Sequence, residues 1–490
     1  MGRHLKSILT TDGMDRRDAG YYSTPQFVAD FLSTAMLEIN SEGQYVLDPA
    51  VGKEELLDRF HEAGKTIEGF DIQDFGLHEK ASFTRKDFLE FYTLEHNCSL
   101  LGTGASLKYD YYIANPPYNC HESEYIRGNK NALLAAFPQT GVNNMYSMFI
   151  AAMIDLAKPG ALIGLITLDS FLTAKMHQSL RTRILERCSV HYIVLCPTDL
   201  FWNQKADVRT CLLILQKGKQ YQGRVKVANR SVNTREFKNV LMKREFEQVS
   251  INQLILDHSC DNGEFVIGVS KSIKDLFSNP RLGDVFRCVT GISTGADARY
   301  ISKERTNYFS VPFYKNPGSR RFYMEPDGYL PQDFLQIEKR VPNFMVRNKD
   351  ILFLPGISCS SMGIPFTACY LPANATFGVN PNIICGENDL WWLLAYLNSS
   401  LVTYFVRGIL IRTNMITSGY ASRIPIVPLS MGQKRELGRL ANKAFAERTA
   451  NGKNVELIEA IDSVVTAELS LPKNELNRIK KFCNSLLRST

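Results

Sequence analysis

The sequence lacks paired cysteine motifs and long apolar runs. Its eleven cysteines form no Cys-x-x-Cys pair and accompany no His-x-x-x-His spacing, so we expect no zinc site and no other metal. An odd, scattered set of thiols is typical of a reducing cytoplasm, which is the location we predict. Residues 1–9 contain no apolar segment fit for a signal peptide. The stretch 391–406 is interrupted by Asn398-Ser399-Ser400, which favours a buried helix over a membrane span.

Phosphate-binding loops and internal repeats are also missing. No Gly-x-x-x-x-Gly-Lys-Ser/Thr segment occurs, which argues against a nucleotide polyphosphate held in a P-loop. Hydrophobic residues make up 44% and charged residues 22%, as in ordinary globular proteins, and 490 residues suffice for two or three domains. Residues 1–240 contain 27 Lys+Arg and 27 Asp+Glu, whereas residues 241–490 contain 30 and 23. This asymmetry indicates chemistry in the first half and polyanion binding in the second.

Strand and helix patterns alternate through the first half. Apolar strand-like runs lie at 44–47, 66–70, 109–114, 161–168, 190–196 and 208–216, with helical patterns at 54–63, 146–157 and 176–187. This order predicts an α/β, Rossmann-like domain with a mostly parallel sheet and helices on both faces. Ligands bind beyond the carboxyl ends of such strands. Asp48, Asp71 and Asn115 each follow a strand, so we expect them at one edge of the sheet.

Beyond about residue 240 the pattern becomes irregular. Segments such as 308–318 are dense in proline, glycine, asparagine and aromatic residues, and helical spacing returns at Gln433. We therefore predict three parts: a domain over 1–240, a mixed α/β domain over 241–430 and a helical tail over 431–490.

Asn115-Pro116-Pro117-Tyr118 is the most specific motif of the chain. The side-chain oxygen of Asn115 and the carbonyl of Pro116 can each accept one hydrogen of an exocyclic amino group. Pro117 stiffens the turn, and the ring of Tyr118 can cover one face of a planar base. The structural alternative is a strand that ends in a Pro-Pro turn.

A second group of residues predicts a cofactor site. Asp48-Pro49-Ala50-Val51-Gly52 closes the first strand, and Asp71 closes the second strand 23 residues later. In a Rossmann-like sheet, a turn of small residues lets a cofactor approach, and an acidic residue about 20 positions on binds ribose hydroxyls. An aspartate directly after the first strand repels phosphate but suits an amino group. The expected cofactor is therefore an adenosine that carries an amino acid.

In this order, the motifs resemble those of gamma-class N6-adenine DNA methyltransferases of type II restriction-modification systems, which use S-adenosyl-L-methionine. The resemblance covers nearly the whole chain and implies that residues 1–240 form the catalytic domain. It implies catalytic roles for Asn115, Pro116, Pro117, Tyr118 and Phe201, with the rings of Tyr118 and Phe201 covering the two faces of a flipped adenine. For Phe201 a core position is the alternative. It implies cofactor-binding roles for Tyr22, Thr24, Pro25, Asp48, Pro49, Ala50, Gly52, Asp71, Ile72, Asp87 and Phe88.

The resemblance also implies a DNA target-recognition domain over 241–430. Segments 290–295 and 397–400 resemble parts of such domains, and residues 281–423 hold 15 Lys+Arg against 10 Asp+Glu. The candidate DNA contacts are Lys315, Arg320, Arg321, Arg347 and Arg412, with Arg407 and Arg423 as further possibilities. The implied partners are double-stranded DNA and a separately encoded restriction endonuclease. Because fewer than 20 residues precede Gly20-Tyr21, we expect no N-terminal nuclease domain.

One feature departs from the family's motifs, and one segment has no role assigned by them. Lys53 and Glu54 stand where the family has a small residue and a second glycine, so no role is carried over to them. The polar segment 119–144 is predicted to be a loop beside the site that either folds on DNA or is a solvated insertion. The alternative functions are an RNA-base or protein-glutamine methyltransferase, which are usually smaller, and a non-catalytic DNA specificity subunit.

Overall fold

The computed structural model describes residues 22–100, 108–118, 123–204, 208–219, 223–256, 261–362, 365–411, 415–447 and 455–488, without the side chains of 96–100 and 485–488. Gly20-Tyr21 and Arg412, singled out from the sequence, lie outside the described residues. Backbone contacts divide the chain into two compact units. The first comprises Met1–Asp257 and Asn262–Gly268, and the second comprises His258–Asp261 and Val269–Thr490.

A nine-stranded sheet forms the centre of the first unit. Its strands are Tyr45–Asp48 (β1), Thr66–Asp71 (β2), Ser82–Arg85 (β3), Tyr111–Ala114 (β4), Leu162–Leu168 (β5), Cys188–Leu195 (β6), Thr210–Lys217 (β7), Val225–Ala228 (β8) and Glu247–Val249 (β9). They are arranged in the order β3-β2-β1-β4-β5-β7-β6-β8-β9. β7 runs antiparallel to β5 and β6, and β9 antiparallel to β8, while the other pairings are parallel. The prediction of a mostly parallel sheet is confirmed.

Helices cover the sheet because its strands are apolar on both faces. They are Gln26–Ile39 (α1), Asp58–Glu62 (α2), Phe88–Leu100 (α3), Glu124–Gly128 (α4), Lys130–Ala136 (α5), Met145–Leu156 (α6), Gln178–Arg187 (α7), Thr234–Lys243 (α8) and Ile251–Leu254 (α9). All four residues of β4 are buried, as are all eight of β6. Two separate apolar clusters result, one containing α6 and the other α1. This arrangement is the Rossmann-like architecture expected from the sequence.

Two local predictions were wrong. The helical pattern at 54–63 forms a helix only over Asp58–Glu62, because Glu54 adopts a left-handed backbone conformation with φ of 59°. The segment 119–144 was predicted as a loop, yet its described part contains α4 and α5. Ile126 and Leu133 from these helices are buried in the same core cluster as α6. Burial of these two apolar side chains stabilises helices that the polar composition concealed.

The second unit contains three small sheets. Its strands are Arg287–Val289 (β10), Ile292–Ser293 (β11), Phe309–Tyr314 (β12), Gly328–Pro331 (β13), Met345–Val346 (β14), Gly356–Cys359 (β15), Ala368–Leu371 (β16), Thr376–Phe377 (β17) and Asn382–Ile384 (β18). The sheets have the orders β10-β18-β15-β16, β11-β14 and β13-β12-β17. Mixed pairing, with β12 parallel to β17 and the other pairs antiparallel, gives the mixed α/β character that was predicted.

Helices dominate the last hundred residues of this unit. Its helices are Lys271–Asp275 (α10), Leu282–Val285 (α11), Asp297–Tyr300 (α12), Phe334–Arg340 (α13), Glu387–Leu397 (α14), Ser400–Tyr404 (α15), Ser418–Ala421 (α16), Met431–Ala446 (α17), Val455–Thr466 (α18) and Lys473–Arg488 (α19). α14 packs along α17 and is largely buried, as expected for 391–406. In the part of the chain that the structure describes, no single helix could cross a membrane; Glu387–Leu397 and Ser400–Leu410 reach that length only together, bent by 66°.

Candidate active site

Three polar residues predicted to share an edge of the sheet do so. Asp48 ends β1, Asp71 ends the adjacent β2, and Asn115 directly follows β4 on the other side of β1. The three strands are parallel, with Leu47 beside both Glu68 and Tyr112. Their carboxyl ends therefore meet at one edge, with the two carboxylates and the amide arranged around the end of β1.

The side-chain amide of Asn115 has a fixed orientation. Its Nδ2 donates hydrogen bonds to the backbone carbonyl of Tyr22 at 2.6 Å and to Oγ1 of Thr24 at 3.0 Å. A backbone carbonyl only accepts, so the amide atom that faces it must be the nitrogen. Among the described residues no donor contacts Oδ1 of Asn115. The amide consequently keeps its acceptor end available while its donor end is held.

Three aromatic rings contact one another around Tyr22, whose carbonyl holds this amide. The ring of Tyr22 stacks on Tyr118, with centroids 5.2 Å apart and planes at 23°, and meets Phe201 edge-on at 5.8 Å. Phe201 is fully buried. Burial raises the pKa of Tyr118 well above its ordinary value, so its phenol stays neutral and can provide a stacking surface but no base.

Gln204 was missed by the sequence reasoning. Its Oε1 accepts the N–H of Ser23 at 3.0 Å, and its Nε2 donates to the carbonyl of Ser23 at 2.7 Å. A single side chain thus clamps the 22–25 segment to the turn that carries Phe201. The two residues are 181 positions apart, so no local pattern could have identified the pair.

The loop after β1 is tied to the end of β2 by a hydrogen bond to Asp71. Gly52 has φ of 52°, a conformation that glycine adopts without strain, and its N–H donates to Oδ2 of Asp71 at 3.0 Å. Oδ1 of Asp71 accepts the N–H of Gln73 at 3.0 Å. Burial raises the pKa of Asp71, which these backbone donors partly offset. Each carboxylate oxygen retains capacity for a further donor, as ribose binding requires.

Asp48 is almost completely buried, and its Oδ1 accepts the N–H of Ala50 at 3.0 Å. Burial is the main reason that its pKa lies well above the ordinary value, and the neighbouring carboxylates Asp71, Glu55 and Glu54 raise it further. Such a site favours a cation, because an ammonium group would offset the repulsion among the carboxylates. Pro49 forms the turn between Asp48 and Ala50.

Glu54, at the departure from the family pattern, has a different function from a cofactor-binding glycine. Its buried carboxylate accepts the backbone N–H groups of Glu79, Lys80 and Ala81 at 3.1, 3.0 and 2.9 Å. These amides precede β3. Glu54 therefore ties the loop after β1 to the loop before β3, and its left-handed backbone is maintained by three hydrogen bonds.

The remaining predicted cofactor residues are spread along the same edge. Ile72 follows Asp71 and is 52% exposed, which suits an apolar cover for a ligand. Pro25 precedes α1 and accepts from the N–H of Val28. Asp87 accepts the N–H groups of Leu89 and Glu90 at the start of α3, together with the hydroxyl of Tyr125 at 2.6 Å. Phe88 is buried in the core beside Phe149. Helix capping and packing account for the positions of Asp87 and Phe88, and their predicted role stays a prediction.

Three of the basic residues predicted to contact DNA have hydrogen-bond or ion-pair partners within the second unit. Lys315 pairs with Asp297, and Arg320 donates to the carbonyls of Pro317 and Asn316 and to Asp327. Arg423 forms a buried ion pair with Asp261.

The guanidinium groups of two further candidates, Arg321 and Arg347, are partly or wholly buried. Burial lowers the pKa of Arg321, which the carboxylate of Asp462 partly offsets. Nη1 of Arg347 is buried, and among the described residues it has no hydrogen-bond partner. Arg347 directly follows β14, whose partner β11 belongs to segment 290–295.

Packing explains both segments that resembled a target-recognition domain. A Cβ added to Gly291 would lie 2.0 Å from the carbonyl oxygen of Phe377, so only glycine fits there. The amide of Asn398 bonds to both the N–H and the carbonyl of Ala368 and ends α14.

No group of three or more histidine, cysteine, aspartate or glutamate side chains within the described ranges could hold a metal ion.

Comparison with known proteins identifies the family. The model of the N-6 DNA methylase family matches residues 10–273, more than half of the chain. The chain belongs to the N-6 DNA methylase family. It is also similar to Type II methyltransferase M.BanIII of Aneurinibacillus aneurinilyticus, with 29% identity over 215 residues. That match covers 38% of this chain and 37% of the relative, so the chain is matched over little more than a third of the relative's length.

Solved structures share the fold of this family member. The DrdV–DNA complex has a TM-score of 0.53 and 11% identity, covering 88% of this chain and 57% of DrdV. The ATP-dependent Type ISP restriction-modification enzyme LlaBIII, bound to DNA, has a TM-score of 0.54 and 11% identity over 86% of this chain and 39% of that one.

S-adenosyl-L-methionine is the cofactor of this member of the N-6 DNA methylase family, and the described residues fit it. The buried carboxylate of Asp48 suits the ammonium group of the methionine part. Asp71 retains acceptor capacity for the ribose hydroxyls, and the exposed side chain of Ile72 can cover the adenosine. Gly52, whose positive φ glycine adopts without strain, donates its N–H to Asp71 between these two side chains.

Proposed function

We propose that this protein is a site-specific methyltransferase that modifies the N6 amino group of adenine in duplex DNA. The observation that carries the proposal is the amide of Asn115. Its nitrogen is held by Tyr22 and Thr24, its oxygen is available, and it lies at the edge of the sheet that contains Asp48 and Asp71. A base amino group needs an acceptor of this kind.

The reaction requires orientation more than acid–base chemistry. The bound S-adenosyl-L-methionine supplies an electrophilic methyl group with a good leaving group. Oδ1 of Asn115 and the carbonyl of Pro116 each accept one amino hydrogen, which favours a pyramidal nitrogen with an available lone pair. Pro117 limits the freedom of that turn. An amide can do this without placing an unpaired charge in a closed site, as an aspartate would.

Adenine inside a duplex is inaccessible to Asn115, so the base must leave the helix. The ring of Tyr118 is proposed to stack on one face of the extruded base and the ring of Phe201 to cover the other. Stacking of a base on an aromatic side chain contributes about 1–3 kcal/mol, enough to offset much of the cost of unstacking.

The second unit is proposed to bind the target sequence. The net positive charge of the chain lies wholly in residues 241–490. Among the described candidates, Arg347 is partly exposed and directly follows β14, which pairs with β11 of segment 290–295. We propose that methylation protects host DNA from a separately encoded endonuclease, the role suggested by similarity to a type II methyltransferase.

Sequencing of modified bases in genomic DNA tests the function directly. The chain would be expressed in a host without adenine methylation, and N6-methyladenine should appear within one sequence context. Asn115→Ala should reduce the rate at least 100-fold while cofactor affinity, measured by calorimetry, stays within about twofold. Asn442→Ala, on the exposed face of α17, is the matched control and should keep full activity.

Other outcomes would redirect the assignment. Cofactor binding without any DNA methylation would contradict the proposed substrate and favour an RNA-base or protein-glutamine acceptor. Absence of cofactor binding, with retained DNA affinity, would favour a specificity subunit.

A further inference from the structure

The ring of Tyr22 lies between the two rings proposed to stack on the target base. It stacks on Tyr118 with planes at 23° and contacts Phe201 edge-on. Among the described residues no ring contact joins Tyr118 directly to Phe201. Tyr22 is therefore the group that bridges them, at the position where a base stacked on Tyr118 would be expected.

The backbone of Tyr22 is fixed independently of its ring. Its carbonyl accepts Nδ2 of Asn115, and the next residue, Ser23, is clamped on both backbone groups by Gln204. The ring is attached through Cβ, so rotation about χ1 moves it without breaking these hydrogen bonds. The same residue can thus hold the amide of Asn115 in place while its ring moves.

We propose that the Tyr22 ring is a placeholder for the extruded base. In the free enzyme it occupies the stacking position between Tyr118 and Phe201, and an incoming adenine displaces it. This inference rests on the proposed function and adds to it a residue that determines which bases enter. Sequence resemblance assigned Tyr22 to the cofactor, whereas its ring contacts are with the base-stacking aromatics.

The placeholder has a measurable effect on affinity. An entering base must replace an aromatic pair that is already stacked, and such pairs change an equilibrium by roughly 2- to 12-fold. Only a planar group that stacks on Tyr118 better than a tyrosine ring gains entry.

Free adenine is a probe that requires no knowledge of the recognition sequence. Tyr22→Ala removes the ring and keeps the carbonyl that holds Asn115. We expect adenine, measured by isothermal titration calorimetry, to bind Tyr22→Ala roughly 2- to 12-fold more tightly than the wild type. Tyr22→Phe retains the ring and should match the wild type. Tyr22→Leu, which preserves apolar packing, should show an intermediate gain and serves if the alanine variant folds poorly.

A cavity of similar size elsewhere in the first unit controls for nonspecific binding of adenine to any space left by a deleted ring. Phe137 stacks on Tyr92 in the other core cluster of the same unit, and Phe137→Ala removes a ring of similar size there. Adenine should not gain affinity for that variant.

The outcomes separate this inference from the function on which it rests. Adenine affinity that is unchanged or reduced in Tyr22→Ala would overturn the placeholder, even if the wild type methylates DNA. Absence of N6-methyladenine from DNA exposed to the wild type would overturn the proposed function. Tighter adenine binding by Tyr22→Ala, together with methylation by the wild type, supports both.

Discussion

Removal of the Glu54 carboxylate should destabilise the loop before β3 strongly. In Glu54→Ala, three backbone N–H groups at 2.9–3.1 Å lose a charged acceptor. A hydrogen bond to a charged group contributes about 1.5–3 kcal/mol, and a buried donor left unpaired costs the most. Ala81 is buried, whereas Glu79 is exposed and Lys80 is partly so, which lets water replace the acceptor there. We therefore expect a cost of about 4 kcal/mol.

The backbone of Glu54 makes a second, opposite contribution. Its φ of 59° is unfavourable for any residue with a Cβ, by roughly 1–2 kcal/mol. Glycine relieves this strain but loses more conformational entropy on folding, by roughly 0.5–1 kcal/mol. Glu54→Gly should consequently be less destabilising than Glu54→Ala, by up to about 1.5 kcal/mol. The difference in stability between the alanine and glycine variants therefore separates the contribution of the Glu54 carboxylate from that of its backbone conformation.

Native-state hydrogen exchange measures this effect locally, which matters in a chain of two units. A peptide covering 77–83 reports the opening free energy of the three amides. Glu62→Ala, in an exposed ion pair with Arg59, is the control and should change stability by less than about 1 kcal/mol. A loss below about 1 kcal/mol in Glu54→Ala, or a glycine variant less stable than the alanine variant, would refute the reasoning.

Two further predictions concern acid stability and DNA binding. Burial, with Arg181 nearby, lowers the pKa of His177 to about 4. Its neutral form stabilises the fold above the ordinary pKa of about 6.5, and that stability is lost as pH falls through 4, by about 3 kcal/mol. His177→Gln should flatten this decline when the free energy of unfolding is measured by urea titration at a series of pH values. Arg347→Ala should reduce the salt dependence of DNA affinity by about one unit of slope, whereas Arg320→Ala should lower thermal stability and leave that slope unchanged. Equal slopes for Arg347→Ala and the wild type would remove Arg347 from the interface.

Local sequence patterns were sufficient to predict the edge of the sheet that carries the site. β1 and β2 end at an aspartate and β4 ends directly before Asn115, and in a parallel sheet those ends must converge. The direction of β7 was not predictable in this way. An apolar run has the same sequence pattern in a parallel and in an antiparallel strand. The direction of β7 is determined only by its pairing with β5 and β6.

The structure adds to the motif the contacts that orient it. Asn115-Pro116-Pro117-Tyr118 identifies an acceptor for a base amino group, but its function depends on which end of the amide is available. That is decided by the carbonyl of Tyr22, 93 residues earlier, and by Gln204, which fixes the neighbouring Ser23 from 181 residues later. Each of these contacts joins a side chain to backbone, and any residue type presents the same backbone groups. These two backbone contacts therefore leave no local sequence signal, whereas the hydroxyl of Thr24, which also accepts from Nδ2 of Asn115, belongs to a segment that the family resemblance had singled out.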